Sequence, residues 1–395
     1  MKKIFLGLTI IISATSFSQK KNVTNAVMAF DDYNKNKLND KEAASKDLLE
    51  AKEYIDLAAA HEDTQAESKT LYYKGKIYVE LSMYANSSQL VSLAAFKDEK
   101  VMETGFNSLR EAKKDPKDRY GDDIANYVNF YRNNLYTLGS AAYSEQKYDV
   151  AMAGLLGAAE FGDVAGIVDS SFYFFGGISA FNAEEYVIAQ EAFQKCIEIN
   201  YNLDQSVAYQ AQIFQKQGKT AEAEQSLKDA ISKYPKNKGL LIELINFYID
   251  GDRDNEALDA LNAALELDPK NTALLFNSGA IYENMGDFEN AKSAYERLIA
   301  IEPEAVRGQF AMGGLYFNKG ADLNNAANQL ALGDPKYDTM VEESKGYFEK
   351  AVPFLEKAAE TSPKDRAVLE SLMAAYSKTG SMDKFKEIKA RIAAL

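Results

Sequence analysis

The sequence has few of the residues on which most enzyme active sites depend. Its 395 residues include one histidine, one cysteine and no tryptophan. With His61 as the only imidazole, the common zinc sites and the hydrolase triads are disfavoured. Cys196 cannot form an internal disulfide and has no partners at a zinc-binding spacing. The glycines follow no strand in a phosphate-binding pattern. We therefore predict no catalytic residue, no metal site and no cofactor.

Basic residues are outnumbered. The chain has 45 lysines and arginines against 59 aspartates and glutamates, which gives a net charge of −14. A basic footprint for nucleic acid is therefore missing, and adsorption to an anionic lipid surface is disfavoured. The adjacent acid pairs are read as solvated helix faces, because neighbouring residues on a helix do not face each other.

Long hydrophobic runs are also rare, and the one that stands out is at the start. Lys2 and Lys3 precede the apolar run Ile4–Ile12, and Ser16–Ser18 supplies small residues where a signal peptidase cleaves. This arrangement predicts a signal peptide over residues 1–18 that is removed to leave Gln19. We expect a periplasmic protein, with secretion as the alternative, and no stable membrane insertion after cleavage.

The sequence does contain a repeated pattern. Pro235, Pro269 and Pro303 recur at intervals of 34 residues, which is typical of repeat arrays. Between the prolines, apolar residues recur three and four apart, and this spacing predicts two short helices per period. The residues on these helix faces are Leu241, Leu244, Tyr248, Ala257, Leu261 and Ala264 in one copy, and Leu275, Ser278, Gly279, Tyr282, Ala291, Tyr295 and Leu298 in the next.

These residues resemble the tetratricopeptide repeat (TPR) family. Its pattern has a small residue and an aromatic in the first helix, a small and a large apolar residue in the second, and a closing proline. Gly279, Tyr282, Ala291, Tyr295 and Pro303 match all five. The preceding copy departs from the pattern, with Ile245 in place of the small residue and Leu261 in place of the large aromatic.

The resemblance implies an all-α fold, a right-handed superhelical TPR solenoid of about nine helix hairpins with two insertions. After the signal peptide, we expect divergent hairpins over 19–165, a regular array over 166–303, and hairpins over 304–395 that include an inserted loop and a capping helix. We place one insertion at Tyr84–Asp98, as an extra helical turn and a loop. The other, Ala321–Met340, is predicted to be a loop or an irregular helix.

The resemblance also implies a concave groove lined by the first helix of each hairpin. The residues at its groove positions are Tyr72, Tyr136, Tyr143, Phe174, Ile178, Phe181, Ile242, Asn246, Ile249, Phe276, Asn284, Phe310, Phe317 and Asn318. Aromatic rings there would supply rigid contact area, and asparagine can pair with a peptide backbone. An open alternative is that many of these side chains pack between helices. A receptor for chaperone C-termini is disfavoured, because Ile242 stands where that group of TPR proteins has a basic residue.

The expected function is a non-enzymatic protein–protein interaction scaffold in the cell envelope, because exported TPR proteins often serve there. Its partners would be peptide or helical segments of other proteins, such as components of envelope or secretion assemblies. Two alternatives stay open. One is a periplasmic holdase-like chaperone that binds exported clients weakly. The other is a hydrolase or carbohydrate-binding protein built on a helical toroid.

Overall fold

The computed structural model describes residues 20–88 and 90–395. The predicted signal peptide and its cleavage site lie outside the described residues. Residues 20–36 form helix α1. The other α-helices are α2 (Lys41–Ala59), α3 (Ser68–Ser88), α4 (Glu99–Lys113), α5 (Gly121–Ser144), α6 (Tyr148–Ala165), α7 (Ser170–Asn182), α8 (Tyr186–Glu198), α9 (Leu203–Lys216), α10 (Thr220–Lys233), α11 (Lys238–Asp250), α12 (Asp254–Leu267), α13 (Thr272–Asn284), α14 (Phe288–Ile301), α15 (Val306–Asn328), α16 (Lys336–Thr361), α17 (Arg366–Thr379) and α18 (Met382–Ala393).

These helices pair in chain order into nine hairpins over the described residues, and no strand occurs among them. The predicted all-α TPR architecture is therefore confirmed. The described residues form two compact units, which divide between Ser206 and Val207. We call them the N-terminal unit and the C-terminal unit. The predicted boundaries after residues 165 and 303 concern the regularity of the repeats, and they stay predictions.

Polar side chains define where the regular hairpins begin. Asn237, Asn271 and Asp365 each lie two residues after a proline and accept hydrogen bonds from backbone N–H groups of the following helix. Such caps satisfy donors that have no partner inside the helix, and each contributes about 1 kcal/mol. The recurring proline therefore ends one hairpin, and the polar residue after it starts the next.

The turn inside a hairpin needs one residue with a left-handed backbone. Gly218 and Gly286 provide it with φ values of 74° and 75°. Gln146, Glu184 and Asp252 take the same place in three other hairpins, with φ values of 59°, 63° and 53°. A residue with a Cβ pays roughly 1–2 kcal/mol for this conformation. Asp252 lies in the short turn between α11 and α12.

The helices of a hairpin approach closely where small residues face each other. A Cβ built on Gly279 in α13 would overlap the buried ring of Tyr295 in α14, as the repeat pattern predicts. In α5 and α6 two glycines meet backbone to backbone. A Cβ on Gly154 would lie 2.6 Å from Gly139 Cα and 2.8 Å from the Leu135 carbonyl oxygen. A larger residue at Gly154 would meet backbone, and one at Gly279 would displace the Tyr295 ring, so both hairpins are fitted to glycine at these positions.

The two insertions differ from each other. At Tyr84–Asp98, α3 continues to Ser88 and a 3₁₀ helix follows at Val91–Phe96, whose Leu93 is buried against α1 and α2. This agrees with the predicted extra turn and loop.

The prediction of a loop or irregular helix at Ala321–Met340 is wrong for most of its length. Helix α15 runs on to Asn328 and α16 begins at Lys336, so the connecting loop is short. The two extensions pack on each other. Ser344 Oγ donates to the Gly320 carbonyl oxygen at 2.7 Å, and Ala327 is fully buried. The polar composition of this segment reflects a surface hairpin with few buried positions.

Candidate functional site

A groove of about 770 Å³ lies in the C-terminal unit between α13, α15 and α17. We call it the α13–α17 groove. Phe276, Phe310 and Phe317 supply its aromatic surface. Small residues make up much of the remaining lining, namely Ala280, Ala311, Gly314, Ala367, Ser371 and Ala374. Helices with small residues at such positions leave room for a ligand's side chains, and the aromatic rings supply apolar contact area.

The three phenylalanine rings are backed by the core and are only partly buried. Phe276 lies 6.1 Å from the Tyr295 ring, and Phe317 lies 5.0 Å from the Phe348 ring, measured between centroids. Phe310 packs against the cluster formed by α16 and α17. Packing fixes the rings in place, so a ligand would meet them without a large loss of side-chain freedom.

Gly314 marks open space on the groove wall. A Cβ built on it would have no atom within 4 Å, unlike one on Gly313, which would meet the Leu355 side chain at 2.7 Å. Gly314 is therefore not needed for helix contact, although glycine inside a helix costs about 1 kcal/mol relative to alanine.

Polar groups lie at the rim of the groove. The Glu283 carboxylate accepts a hydrogen bond from Asn318 Nδ2 at 2.9 Å and another from the Tyr295 hydroxyl at 3.2 Å. Burial, together with the nearby Glu283 carboxylate, raises the pKa of Tyr295, which keeps its hydroxyl a donor at neutral pH. Arg307 Nη2 donates to Thr272 Oγ1 at 2.6 Å.

A second, smaller groove of about 250 Å³ lies between α9 and α11. The predicted residues Asn246 and Ile249 line it, together with Gln212, Gln215 and Asp250. Its lining is mostly polar and its volume is a third of that of the α13–α17 groove. Ile242 is 39% exposed on the same helix but does not line either groove. Asn284 is exposed at the end of α13, outside both.

In the N-terminal unit, two of the predicted groove residues are buried. Tyr72 stacks on Tyr120 with centroids 4.6 Å apart, and Phe174 packs edge-on against Tyr201 at 6.0 Å. For these two residues, the alternative that the side chains pack between helices is the correct one. Tyr120, which covers Tyr72, is the residue that directly precedes α5.

The other predicted residues of this unit lie on α5 and α7 and are partly or largely exposed. Tyr136 is 45% exposed but stacks on Phe172 at 4.7 Å. Tyr143 packs edge-on against Phe175 at 5.8 Å. Ile178 and Phe181 are half-buried on α7. The structure thus brings four of the predicted residues together in the α13–α17 groove, namely Phe276, Phe310, Phe317 and Asn318.

Sequence reasoning missed a buried carboxylate in the N-terminal unit. Glu80, 5% exposed, accepts hydrogen bonds from the hydroxyls of Tyr33 at 2.8 Å, Tyr127 at 3.2 Å and Tyr131. Lys37 Nζ lies 3.6 Å away. Burial, followed by the Glu80 carboxylate, raises the pKa of all three tyrosines, so they stay protonated donors at neutral pH. We call these residues the Glu80 cluster.

The Glu80 cluster joins α1, α3 and α5, which belong to three successive hairpins. Lys76, one turn before Glu80, lies over the rings of Phe30, Tyr72 and Tyr127 at 5.2–5.5 Å, and burial lowers its pKa. A lone acid inside the apolar run 77–85 is the sequence signal that could have revealed the cluster, because such an acid needs partners when it is buried.

Cys196 is fully buried, and burial raises the pKa of its thiol to about 11, so it is a packing residue. Over the described residues, no group of three or more histidines, cysteines or acids is placed to hold a metal ion. None of the described helices is long and apolar enough to span a bilayer.

Two family models match the chain. Residues 214–276 and residues 272–304 each match a model described as a tetratricopeptide repeat. The predicted resemblance is thereby confirmed over the stretch that holds the clearest copies. No curated protein matches the sequence.

Several solved structures are similar to parts of the chain. A tetratricopeptide repeat protein from Parabacteroides merdae aligns at 16% identity over 57% of this chain and 79% of its own, with a TM-score of 0.39. A TPR repeats protein from Bacteroides fragilis aligns at 21% identity over 62% of this chain and 98% of its own, with a TM-score of 0.32. MamA from Desulfovibrio magneticus aligns at 14% identity over 49% and 94%, with a TM-score of 0.37. Similarities at this level say nothing about partners or location.

Proposed function

We propose that this tetratricopeptide repeat protein is a non-enzymatic scaffold that binds a peptide segment of a partner protein in the α13–α17 groove. The observation that supports this best is that the first helices of two successive hairpins, α13 and α15, place predicted groove residues in one cavity of about 770 Å³. These residues are Phe276, Phe310, Phe317 and Asn318. Cavities that bind ligands span roughly 300–1,000 Å³ and are mostly apolar with a few polar groups. The family to which these repeats belong binds other proteins.

The composition of the groove favours apolar anchors in the partner. Three phenylalanine rings and a set of alanines form the walls, and the polar groups lie at the rim. An amphipathic helix or an extended segment that places large apolar side chains in such a groove gains most of its affinity from a few buried anchors. We therefore expect leucine, phenylalanine or methionine at the centre of the bound segment.

A photo-crosslinker tests this proposal in cells. We would replace Phe310 with benzoylphenylalanine in the full chain and identify crosslinked proteins by mass spectrometry. Adding Gly314→Leu fills the groove at a point where a Cβ meets no atom within 4 Å, and should remove the crosslinks. The new side chain occupies the space of a leucine-sized group of the ligand, and the loss of that group's burial costs about 1.5–3 kcal/mol of binding free energy, or about tenfold or more in affinity.

The chain offers a matched control. Gly346 lies in helix α16, a Cβ there also meets no atom within 4 Å, and it does not line the groove. Gly346→Leu should leave every crosslink in place. Equal crosslinks in the two leucine variants, or no crosslinked protein at all, would contradict the proposed function.

We further propose a location in the cell envelope, in the periplasm. The support is the charged start, the apolar run and the small residues within residues 1–18. N-terminal sequencing of the protein from fractionated cells should find a chain that begins at Gln19 in the periplasmic fraction. The same chain in the medium would favour secretion. An uncleaved chain in the cytoplasm would contradict export.

A holdase-like chaperone is the second candidate, and one observation favours it. Helix α5 exposes large apolar side chains, with Phe130 62% and Leu138 54% exposed. Large apolar side chains exposed along one helix would give unfolded clients a surface for weak binding. Suppression of client aggregation that is unchanged by Gly314→Leu but weakened by Phe130→Ser and Leu138→Ser would favour this function. The hydrolase alternative stays a prediction that no observed arrangement favours.

A further inference from the structure

The charged groups that line the α13–α17 groove are not equally neutralised. Arg307 lies 3.6 Å from the Glu302 carboxylate, and the Glu370 carboxylate lies 2.7 Å from Arg366 Nε. Glu283 is different, because its two donors, Asn318 and Tyr295, are both neutral. Over residues 20–88 and 90–395, no lysine or arginine lies within ion-pair distance of it. Among the described residues, the groove lining therefore holds one carboxylate, Glu283, that has hydrogen-bond donors but no ion-pair partner.

Glu283 lies beside the apolar surface. It shares one face of α13 with Phe276 and Ala280, at spacings of seven and three residues, and all three line the groove. Asn318, which holds the carboxylate from α15, directly follows Phe317 in the sequence. A ligand whose apolar side chain sits against these phenylalanines would therefore bring its neighbouring residues within reach of Glu283.

The carboxylate is also held in place before any ligand arrives. Each of its oxygens accepts one hydrogen bond, Oε1 from Asn318 and Oε2 from Tyr295, and the tyrosine is 2% exposed. A preorganised charge loses little side-chain freedom when it pairs, so more of the attraction appears as affinity. A carboxylate oxygen has lone pairs for more than one donor, so the two existing bonds leave room for a cation.

We propose, on the basis of the proposed function, that the groove selects an apolar segment with a lysine or arginine next to its apolar anchor, and that this cation pairs with Glu283. A segment with an acid at the same place would meet the uncompensated carboxylate and bind more weakly. The net charge of −14 on the chain acts in the same direction, because it attracts basic segments over longer distances. Glu283 is thus a specificity-determining residue for the partner.

Peptide display on the full chain tests this inference. Random peptides of about 12 residues, enough for three helical turns, would be selected on the protein and competed against Gly314→Leu, so that only groove binders are kept. The selected peptides should carry large apolar residues with lysine or arginine enriched beside them. Synthetic versions with that basic residue changed to glutamine should bind about three- to tenfold more weakly, as expected for a partly exposed charge pair.

Glu283→Gln separates charge from shape. Glutamine has nearly the same shape and no charge. It keeps one acceptor oxygen, and its NH2 group can donate to the Tyr295 hydroxyl oxygen or, after a flip of the asparagine amide, to Asn318 Oδ1. The thermal melt of the variant would confirm that the fold is kept. Against Glu283→Gln, the basic and neutral peptides should bind equally, and the salt dependence of the basic peptide should weaken.

The outcomes are distinct. Groove binders without a basic preference, or a preference that survives in Glu283→Gln, would overturn this inference and leave the proposed function standing. Enrichment of acidic peptides would overturn it as well. If no selected peptide distinguishes the native protein from Gly314→Leu, the groove is not a peptide site and both proposals are wrong.

Discussion

Both units close hairpins by short-range contacts at glycines, and the N-terminal unit adds a buried carboxylate that reaches across three hairpins. In the C-terminal unit, Gly279 faces the Tyr295 ring of the same hairpin. In the N-terminal unit, Glu80 on α3 accepts hydrogen bonds from tyrosines on α1 and α5. The first contact needs only one hairpin to form, and the second needs three.

This difference teaches how a repeat array can diverge. Where each hairpin keeps the family's small and large residues, every hairpin packs on the next in the same way. Where the two helices of a hairpin differ in length, as α3 differs from α4 and α5 from α6, the repeated packing alone no longer positions the next hairpin. A satisfied polar network can then fix one arrangement, because any other would leave buried donors without an acceptor. We expect mutations to act locally in the C-terminal unit and across hairpins in the N-terminal unit.

The largest expected effect follows from removing the carboxylate of the Glu80 cluster. Glu80→Ala should lower the free energy of unfolding by about 3–5 kcal/mol, because three tyrosine hydroxyls and Lys37 lose their common partner. Urea unfolding followed by circular dichroism would measure the loss, and hydrogen exchange should show α1, α3 and α5 opening together.

The matched substitution in the other unit is Glu283→Ala. Glu283 has fewer donors and a more exposed position, so we expect a loss below about 1 kcal/mol there. A comparable loss at the two positions, or faster exchange confined to α3 in Glu80→Ala, would remove the distinction between the units.

The next effect compares glycines at helix contacts. Gly154→Ala should cost about 3 kcal/mol, because the new Cβ would meet the backbone of Gly139 and Leu135, which cannot move aside. Gly279→Ala should cost about 1 kcal/mol, because it meets the Tyr295 side chain, which can shift, and because alanine favours the helix. Thermal melts of both variants check the order, and a larger loss for Gly279→Ala would reverse the comparison.

A smaller effect concerns an exposed ionic contact in the C-terminal unit. Glu224 accepts hydrogen bonds from Arg253 at 2.5 Å, Lys228 at 2.6 Å and Tyr248 at 2.9 Å. Arg253 is the main cause of the lowered pKa of this carboxyl, about 2. In the unfolded chain the pKa of the Glu224 carboxyl is about 4.3, so the unfolded chain binds more protons than the folded chain between pH 4.3 and pH 2. The stabilisation that the ionised carboxylate gives above about pH 4.3 is therefore lost as the pH falls through the folded pKa of about 2.

Glu224→Gln should therefore destabilise the protein by about 1–2 kcal/mol at pH 7, after discounting for solvent screening, and by almost nothing at pH 2. Urea unfolding at several pH values would measure this. A difference between the native protein and the variant that stays constant from pH 7 to pH 2 would show that the pair does not stabilise the fold.

The smallest effect concerns the hairpin turns. Glu184→Gly should stabilise the N-terminal unit by about 0.5–1 kcal/mol, because a side chain at a φ of 63° is strained and glycine is not. Gly286→Ala should destabilise the C-terminal unit by about 1 kcal/mol for the same reason. Chemical unfolding of both variants, with opposite signs expected, checks that one turn geometry is used in both units.

Much of the fold could be predicted, because the signals are local. Prolines 34 residues apart, a small residue in α13 and a large ring in α14 lie within one hairpin, and helical spacing decides which residues face each other. The extension of α15 and α16 could not be predicted, since its polar sequence is typical of loops as much as of exposed helices. The Glu80 cluster joins residues 47 and 51 positions apart, and no pattern within one repeat indicates such contacts.

The candidate site was predictable only where the repeat is regular. Phe276, Phe310 and Phe317 reach the groove because α13 and α15 keep the standard spacing. Tyr72 has an equivalent place in its hairpin but is covered by Tyr120, the residue before α5, and the repeat pattern does not indicate this contact. Ala367 and Ala374 of α17, which complete the groove wall, were not predicted, because the prediction named only aromatic, isoleucine and asparagine side chains on the first helices.

The long hairpin of α15 and α16 has one more consequence. Its extra residues lengthen both arms together, so α16 still packs on α17 as α14 packs on α15. The extra residues at the tip lengthen this hairpin and leave its contact with the following hairpin in place. Leu332, at the bend, is fully solvent-exposed. Leu332 does not line the α13–α17 groove. A fluorescent label or an affinity tag inserted at this bend should therefore leave the groove and the packing of the hairpins unchanged.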